Sequence, residues 1–135
     1  MTLDEINKFC TDSMVGFLGI EFTESDGDHL QARMPVNERT RQPHGFLHGG
    51  AMITLAETVA STITALKSEK SDAVFGYHVD ASLVSSVKDG YVYASVALVH
   101  QGRSSFIWDV TVRGEQEQTV ALCRVTVRVV RGSIK

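Results

Sequence analysis

Cysteine, proline and clustered positive charge are all scarce in this sequence. Its 135 residues include two cysteines, Cys10 and Cys123, which are too few for a disulfide framework and lack the spacing of a metal-ligand set. They fit instead as small buried or half-buried side chains in a reducing compartment. With two prolines, 43% hydrophobic and 21% charged residues, the composition is that of an ordinary globular chain rather than a disordered or fibrous one. A net charge of -3 and the lack of any basic run disfavour nucleic acid and anionic membranes as partners, leaving metabolites and other protein chains. The first residues, MTLDEINKFC, are acidic where a signal peptide needs basic residues, and no apolar core follows them. The run from Phe46 to Leu66 approaches the length of a membrane span, but His48, Glu57 and five Thr or Ser residues make insertion costly. The expectation is a cytoplasmic protein with a single domain over residues 1–135, since no repeat, linker or low-complexity tract divides it.

The pattern along the chain predicts α+β architecture. Thr2, with Glu5 three residues on, caps a short amphipathic helix over Leu3 to Phe9, and Ser13 to Leu18 forms another turn. Ile20 to Thr23, the turn Ser25-Asp26-Gly27-Asp28, and alternating Leu30 to Met34 make a hairpin. Pro35 to Leu47 is irregular, and a helix runs from Gly49 or Gly50 to about Lys67. Its Thr, Ile and Val are poorer helix formers, so burial must hold it, and an apolar character on nearly every side predicts a wrapped helix. Four alternating segments follow, around Val79 to Leu83, Val92 to Leu98, Phe106 to Val112 and Ala121 to Val129, and read as an antiparallel meander. The expected fold is a curved antiparallel sheet of about six strands wrapped around one long central helix.

Glu57 is the one acidic residue between Phe46 and Leu66, and a carboxylate in such company costs free energy unless something compensates it. Leu55, Ala56, Val59 and Ala60 are expected to desolvate it, with hydroxyls and water solvating one oxygen. Ser61, four residues on, shares its helix face and is placed to hydrogen-bond Glu57 or a water; Ser61 also reads as a small packing residue. Gly49 and Gly50 start the helix, where free N–H groups and the positive end of the dipole polarise a carbonyl. Gly49 and Glu57 are separated by roughly 12 Å along one helix, too far to serve one thioester. A site that uses both must be shared between two helices lying antiparallel about a two-fold axis. His44 and His48 are four apart, but the glycines around them oppose a helix and no third ligand has a fixed spacing, so no metal is expected.

The segments PHGFLHGG, LAET with Ser61, RTRQP and HQGRSSFIWDVTV resemble those of hotdog-fold acyl-CoA thioesterases of the 4-hydroxybenzoyl-CoA and 1,4-dihydroxy-2-naphthoyl-CoA type. The resemblance spans nearly the whole chain. It implies a hotdog fold and hydrolysis of an aromatic or medium-chain acyl-CoA, with no cofactor. It also implies an obligate homo-oligomer, a dimer at least and a tetramer by expectation, with carboxylate and helix-end amide from different subunits. Glu57 would be the base or nucleophile, with Gly49, His48, Gln42 and Ser61 beside it; Gln42 and His48 either donate to the carbonyl or fix the loop. Gly76 and Leu83, Val84, Ser85 and Ser86 match positions lining the pantetheine and acyl channel. His100, Gly102, Arg103, Ser104 and Ser105 match a segment that contacts the CoA nucleotide, with Arg103 suited to a phosphate. The sequence departs from its look-alikes at Leu83, where they often carry histidine, and at Ser86, where they often carry proline. The alternatives are a non-catalytic acyl-CoA-binding protein and a dehydratase or thioesterase linked to acyl carrier protein.

Overall fold

Thr2 opens the structure as predicted, its hydroxyl accepting from the Glu5 N–H while the Glu5 carboxylate accepts from the Thr2 N–H (both 3.2 Å). The structure is a computed structural model that describes residues 1–134. Helix α1 (Leu3–Cys10) and the single turn α2 (Met14–Phe17) precede the hairpin of β1 (Glu21–Ser25) and β2 (Leu30–Pro35). Its turn is closed by Asp26, whose carboxylate accepts from the N–H groups of Asp28 and His29. The long helix α3 (Gly49–Leu66) comes next, then β3 (Ala73–Leu83), β4 (Tyr91–Gln101), β5 (Ser105–Arg113) and β6 (Thr119–Val130).

The six strands form one antiparallel sheet in the order β1-β2-β4-β5-β6-β3. The last four strands are therefore not the simple meander expected from the sequence. After β3 the chain crosses the end of the sheet, tied there by hydrogen bonds from Val84 to Val120 and from Leu47 to Val87, and β4 pairs with β2 and β5. That leaves β3 at the far edge, paired only with β6.

Helix α3 lies across the inner face of the sheet and packs against β2 to β6. Met52, Leu55, Ala56, Val59, Ala60, Ile63 and Thr64 make up its buried stripe, at the three-and-four spacing of one helix face. They meet inward residues of the strands, among them Val92, Phe106, Trp108, Val110, Val125 and Val127. Large side chains such as these each contribute about 1.5–3 kcal/mol on leaving water. Trp108 donates its indole N–H to the Thr64 hydroxyl (2.9 Å), and Thr64 donates to the Ala60 carbonyl (2.8 Å), so the buried polar atoms at the helix–sheet contact are paired. Among the described residues α3 is the one helix long and apolar enough to cross a membrane, and here it is the core helix of the sheet.

The opposite face of α3 narrows the expectation of a helix apolar and wrapped on nearly every side. Ile53, Thr54, Glu57, Thr58, Ser61 and Thr62 are only half-buried, and Glu57 lies beside the edge strand β3 rather than over the centre of the sheet. Thr54, Thr58 and Thr62 each donate to the carbonyl four residues back (2.9, 2.7 and 2.7 Å). Their hydroxyls are thereby satisfied within the helix, so this face can be covered without stranding them.

Candidate active site

Glu57 projects from that open face into a groove of about 470 Å³. Thr54, Thr58, Ser61 and Thr62 of α3 form one wall, Met14 and Val15 another, and Val74, Phe75 and Gly76 of β3 a third. Leu55, Ala56, Val59 and Ala60, expected to desolvate the carboxylate, all turn toward the sheet. What flanks Glu57 comes instead from α2 and β3. Gly76 lies so close beneath it that a Cβ there would overlap the carboxylate. The next residue of β3, Tyr77, sits at a β-bulge between Gly76 and His78, an irregularity that bends an edge strand. No described side chain hydrogen-bonds Glu57, and the Ser61 hydroxyl is buried with no partner, so the Ser61–Glu57 bond anticipated from the sequence does not form within the chain.

The N-terminus of α3 opens on a second groove of about 340 Å³, lined by Gln42, Phe46, Leu47, Gly49, Met52 and the segment from Leu83 to Ser86. Of the first four N–H groups of the helix, Gly50 donates to His48 Nδ1 (2.8 Å), and Ala51 and Met52 donate to the His48 carbonyl (3.0 and 3.3 Å). Only the Gly49 N–H has no partner among the described residues. His48 is thus the N-cap, and its Nδ1 fixes the helix end. Because Nδ1 accepts, the proton of the neutral ring resides on Nε2.

Gln42 lines the same groove as this N–H. Its side-chain oxygen accepts from the His44 N–H, which leaves the amide NH2 without a partner among the described residues. Leu83 closes over Gly49 so tightly that a Cβ on Gly49 would overlap the Leu83 Cδ1. The irregular segment carrying Gln42 is held by buried Thr40, whose hydroxyl donates to the Pro35 carbonyl (2.8 Å) and whose carbonyl accepts from the His48 N–H (2.8 Å). Arg41 adds a bond to the Lys88 carbonyl (3.0 Å). This groove is therefore lined by two residues with an unpartnered donor among the described residues, Gly49 through its N–H and Gln42 through its amide.

The two grooves share no lining residue, and Gly76 falls in the first while Leu83, Val84, Ser85 and Ser86 fall in the second. Ser85 spends its hydroxyl on the Thr119 carbonyl (2.7 Å). His100, Gly102, Arg103, Ser104 and Ser105 enter neither groove. They form a tight turn between β4 and β5, closed by a Gly102 N–H to Ser105 carbonyl bond of 2.8 Å. Register places Ser105 opposite Arg128, and Arg128 opposite Phe75, so the turn lies on the outer face two strands from the Glu57 groove. Neither Arg103 nor Arg128 has a carboxylate partner among the described residues.

Sequence reasoning missed Arg128, Met14, Val74 and Phe75. Their signal lay in strand pairing and helix packing rather than in any local motif. The threonines at 54, 58 and 62 were visible as an i, i+4 series whose purpose emerges only from their back-bonding.

An open carboxylate groove, a helix end with one free amide, and a curved sheet around a single helix together define the class of hotdog thioester hydrolases. The family model described as "Thioesterase superfamily" matches residues 44–121, and the chain belongs to that family. It is 36% identical over 126 residues to the 1,4-dihydroxy-2-naphthoyl-CoA hydrolase of Escherichia coli (strain K12), covering 93% of each chain. The crystal structure of a thioesterase from Haemophilus influenzae superposes with a TM-score of 0.95 at 34% identity, over 100% of this chain and 94% of that one. A mutant thioesterase from Pseudomonas aeruginosa superposes with a TM-score of 0.93 at 34% identity, over 96% and 94%.

Proposed function

We propose that the protein hydrolyses an aromatic or medium-chain acyl-CoA to the free acid and CoA, at sites built between two copies of the chain. The observation that carries this reading is the separation of the Glu57 carboxylate and the free Gly49 N–H into grooves with no residue in common. Neither groove alone holds both a base and an oxyanion donor. Two copies with α3 antiparallel, their axis near Ile53 midway between 49 and 57, bring Glu57 of one chain to Gly49 of the partner subunit. The half-buried outer face of α3, whose Thr54, Thr58 and Thr62 hydroxyls are satisfied within the helix, supports such a contact. So does the unpaired edge of β3, which leaves Phe75 57% and Tyr77 71% exposed on an 11-residue strand.

In the assembled site the thioester oxygen accepts from the Gly49 N–H and the Gln42 amide of the partner subunit, which stabilise it as it gains charge. Glu57 either takes a proton from water that adds to the carbonyl carbon, or adds to that carbon itself. In both cases the C–S bond breaks, CoA leaves and accepts a proton, and water supplies the oxygen of the free acid. Ser61, one turn on, lines the same groove as Glu57. Arg103, with Arg128 nearby, is assigned to the CoA phosphates. This chemistry calls for no cofactor, and the two free thiols suit a cytoplasmic location.

Release of CoA thiol from a panel of aroyl and aliphatic CoA esters tests the reading. Glu57→Ala and Gln42→Ala are each expected to lose about 10²-fold or more in kcat. Refolded together in equal amounts, they are expected to recover about one quarter of wild-type activity, because half the dimers then carry one intact site. No recovery in a mixture shown to contain hetero-oligomers would refute the shared site. Retained binding of acyl-CoA with no turnover by the wild type would favour a non-catalytic acyl-CoA-binding protein.

A further inference from the structure

Of Arg103, Arg128 and Arg131, which lie at or beside the turn between β4 and β5, only Arg131 has a carboxylate partner among the described residues. Just past β6, it donates Nη1 to Asp72 (2.8 Å) and Nε to the backbone carbonyl of Arg103 (2.8 Å). We propose that Arg131 is a positioning residue for CoA. Held by Asp72, it sets the Arg103–Ser104 peptide so that the turn offers hydrogen-bond donors rather than acceptors to the phosphates. The proposal rests on the reading of Arg103 as a phosphate-binding residue of an acyl-CoA hydrolase.

One peptide plane carries the geometry. In a trans peptide the carbonyl and the following N–H point in opposite directions, and the Arg103–Ser104 peptide is trans. Drawing the Arg103 carbonyl toward Arg131 therefore turns the Ser104 N–H the other way, where it has no partner among the described residues. The Ser104 carbonyl accepts from the Val129 N–H (2.8 Å), and the Ser105 carbonyl from the Gly102 N–H (2.8 Å). Three successive carbonyls are thus occupied. A free carbonyl facing a phosphate would repel it, whereas a free N–H one residue from Arg103 attracts it.

The anchor is rigid on its other side. Asp72 is only 3% exposed and also accepts from the Gly132 N–H (2.9 Å) and the Glu69 N–H (3.0 Å). The Ile134 N–H adds a bond to the Ser71 carbonyl (2.8 Å). A guanidinium suits this place because its planar fork reaches a carboxylate and a carbonyl at once, in fixed directions. With Asp72 balancing the charge of Arg131, Arg103 and Arg128 remain as the unpaired cations of this region. Neither Asp72 nor Arg131 lines the Glu57 groove or the Gly49 groove, so the device acts on the nucleotide and not on the thioester.

The test compares wild type with Arg131→Gln, which loses the fork, on octanoyl-CoA and on S-octanoyl-pantetheine, which lacks the nucleotide. KM for octanoyl-CoA is expected to rise about tenfold with kcat unchanged, as when binding shared by ground and transition states is removed. The kcat/KM for S-octanoyl-pantetheine is expected to stay within about twofold, whereas damage to the fold would lower both. The Kd of CoA itself, read by calorimetry, is expected to rise about tenfold as well. In 15N-labelled wild type, the Ser104 amide resonance is expected to move on addition of CoA and to ignore pantetheine.

A KM and a Kd that Arg131→Gln leaves within about twofold overturn the proposal, as does an equal loss on both esters. A Ser104 amide that ignores CoA in the wild type overturns it without any variant. Weakened CoA binding by Arg131→Gln, with the Ser104 response present, in a protein that hydrolyses no ester upholds the positioning role and refutes the hydrolase reading. Glu57-dependent hydrolysis with CoA affinity indifferent to Arg131→Gln does the reverse.

Discussion

Gly76 of β3 supports the Glu57 carboxylate of α3 so closely that the strand has no room for a β-carbon there. Its backbone is not in the left-handed region, so alanine is conformationally acceptable and the only obstacle is the carboxylate itself. Gly76→Ala is therefore expected to displace Glu57 while leaving the sheet folded. Displacing a reacting group by about 1 Å costs about 10²-fold, so kcat is expected to fall about 10- to 100-fold with little change in KM. Steady-state kinetics beside a thermal melt checks this, since a melt that collapses would instead point to damage of the strand.

At the other end of the helix, Gly49 and Leu83 form a matched pair in which the leucine fills the space that a side chain at 49 would need. Gly49→Ala is expected to push the helix tip or Leu83 aside and misaim the one free N–H, lowering kcat by about 10²-fold or more. Leu83→Ala alone removes the crowding without touching the amide. If the loss arises from this contact, the double variant regains activity over Gly49→Ala, a non-additivity that a double-mutant cycle in kcat/KM reads directly. Strict additivity would assign the loss to the backbone at 49 rather than to Leu83.

Much of this arrangement was legible in the chain, though not always for the physical reason first assigned. Glu57 stands out as a charge among apolar residues, yet Leu55 and Val59 lie nearly opposite it on the helix, and Ala56 and Ala60 are buried on the side that meets the sheet. Adjacency in sequence is not adjacency in space when each residue turns about 100°. The walls that do flank it, Met14 and Phe75, come from elements far along the chain. Alternation along the strands marked which residues face inward, since Val125, Val127 and Val129 are buried and Arg124 and Arg128 exposed. Alternation carries nothing about which strand lies beside which, so the place of β3 at the edge beyond β6 stayed hidden. The free Gly49 amide was visible only as one of a helix end's orphan donors. Singling it out required seeing His48 satisfy the other three.

Asp72, just before β3, gathers the end of the chain. Its side chain is only 3% exposed and accepts from the Gly132 N–H (2.9 Å), the Glu69 N–H (3.0 Å) and Arg131 (2.8 Å). These donors, the Gly132 backbone first, hold its carboxyl below the ordinary value of 3.8. A carboxyl with a depressed folded-state pKa adds stability at pH values above its unfolded-state pKa. That stability is lost as pH falls through the folded-state value. Asp72→Asn turns an amide NH2 toward existing donors, so it is expected to lower the urea midpoint at pH 7. The deficit relative to wild type is expected to shrink steadily as pH drops below about 4, where the carboxyl of the unfolded chain begins to protonate ahead of that of the folded one. Asp28 and Asp109, also held low by Lys67 and Arg124, titrate alike in both proteins and cancel from the difference. A deficit that stays constant from pH 7 to pH 3 would mean that shape, and not the charge of Asp72, fastens β3 to the chain's last residues.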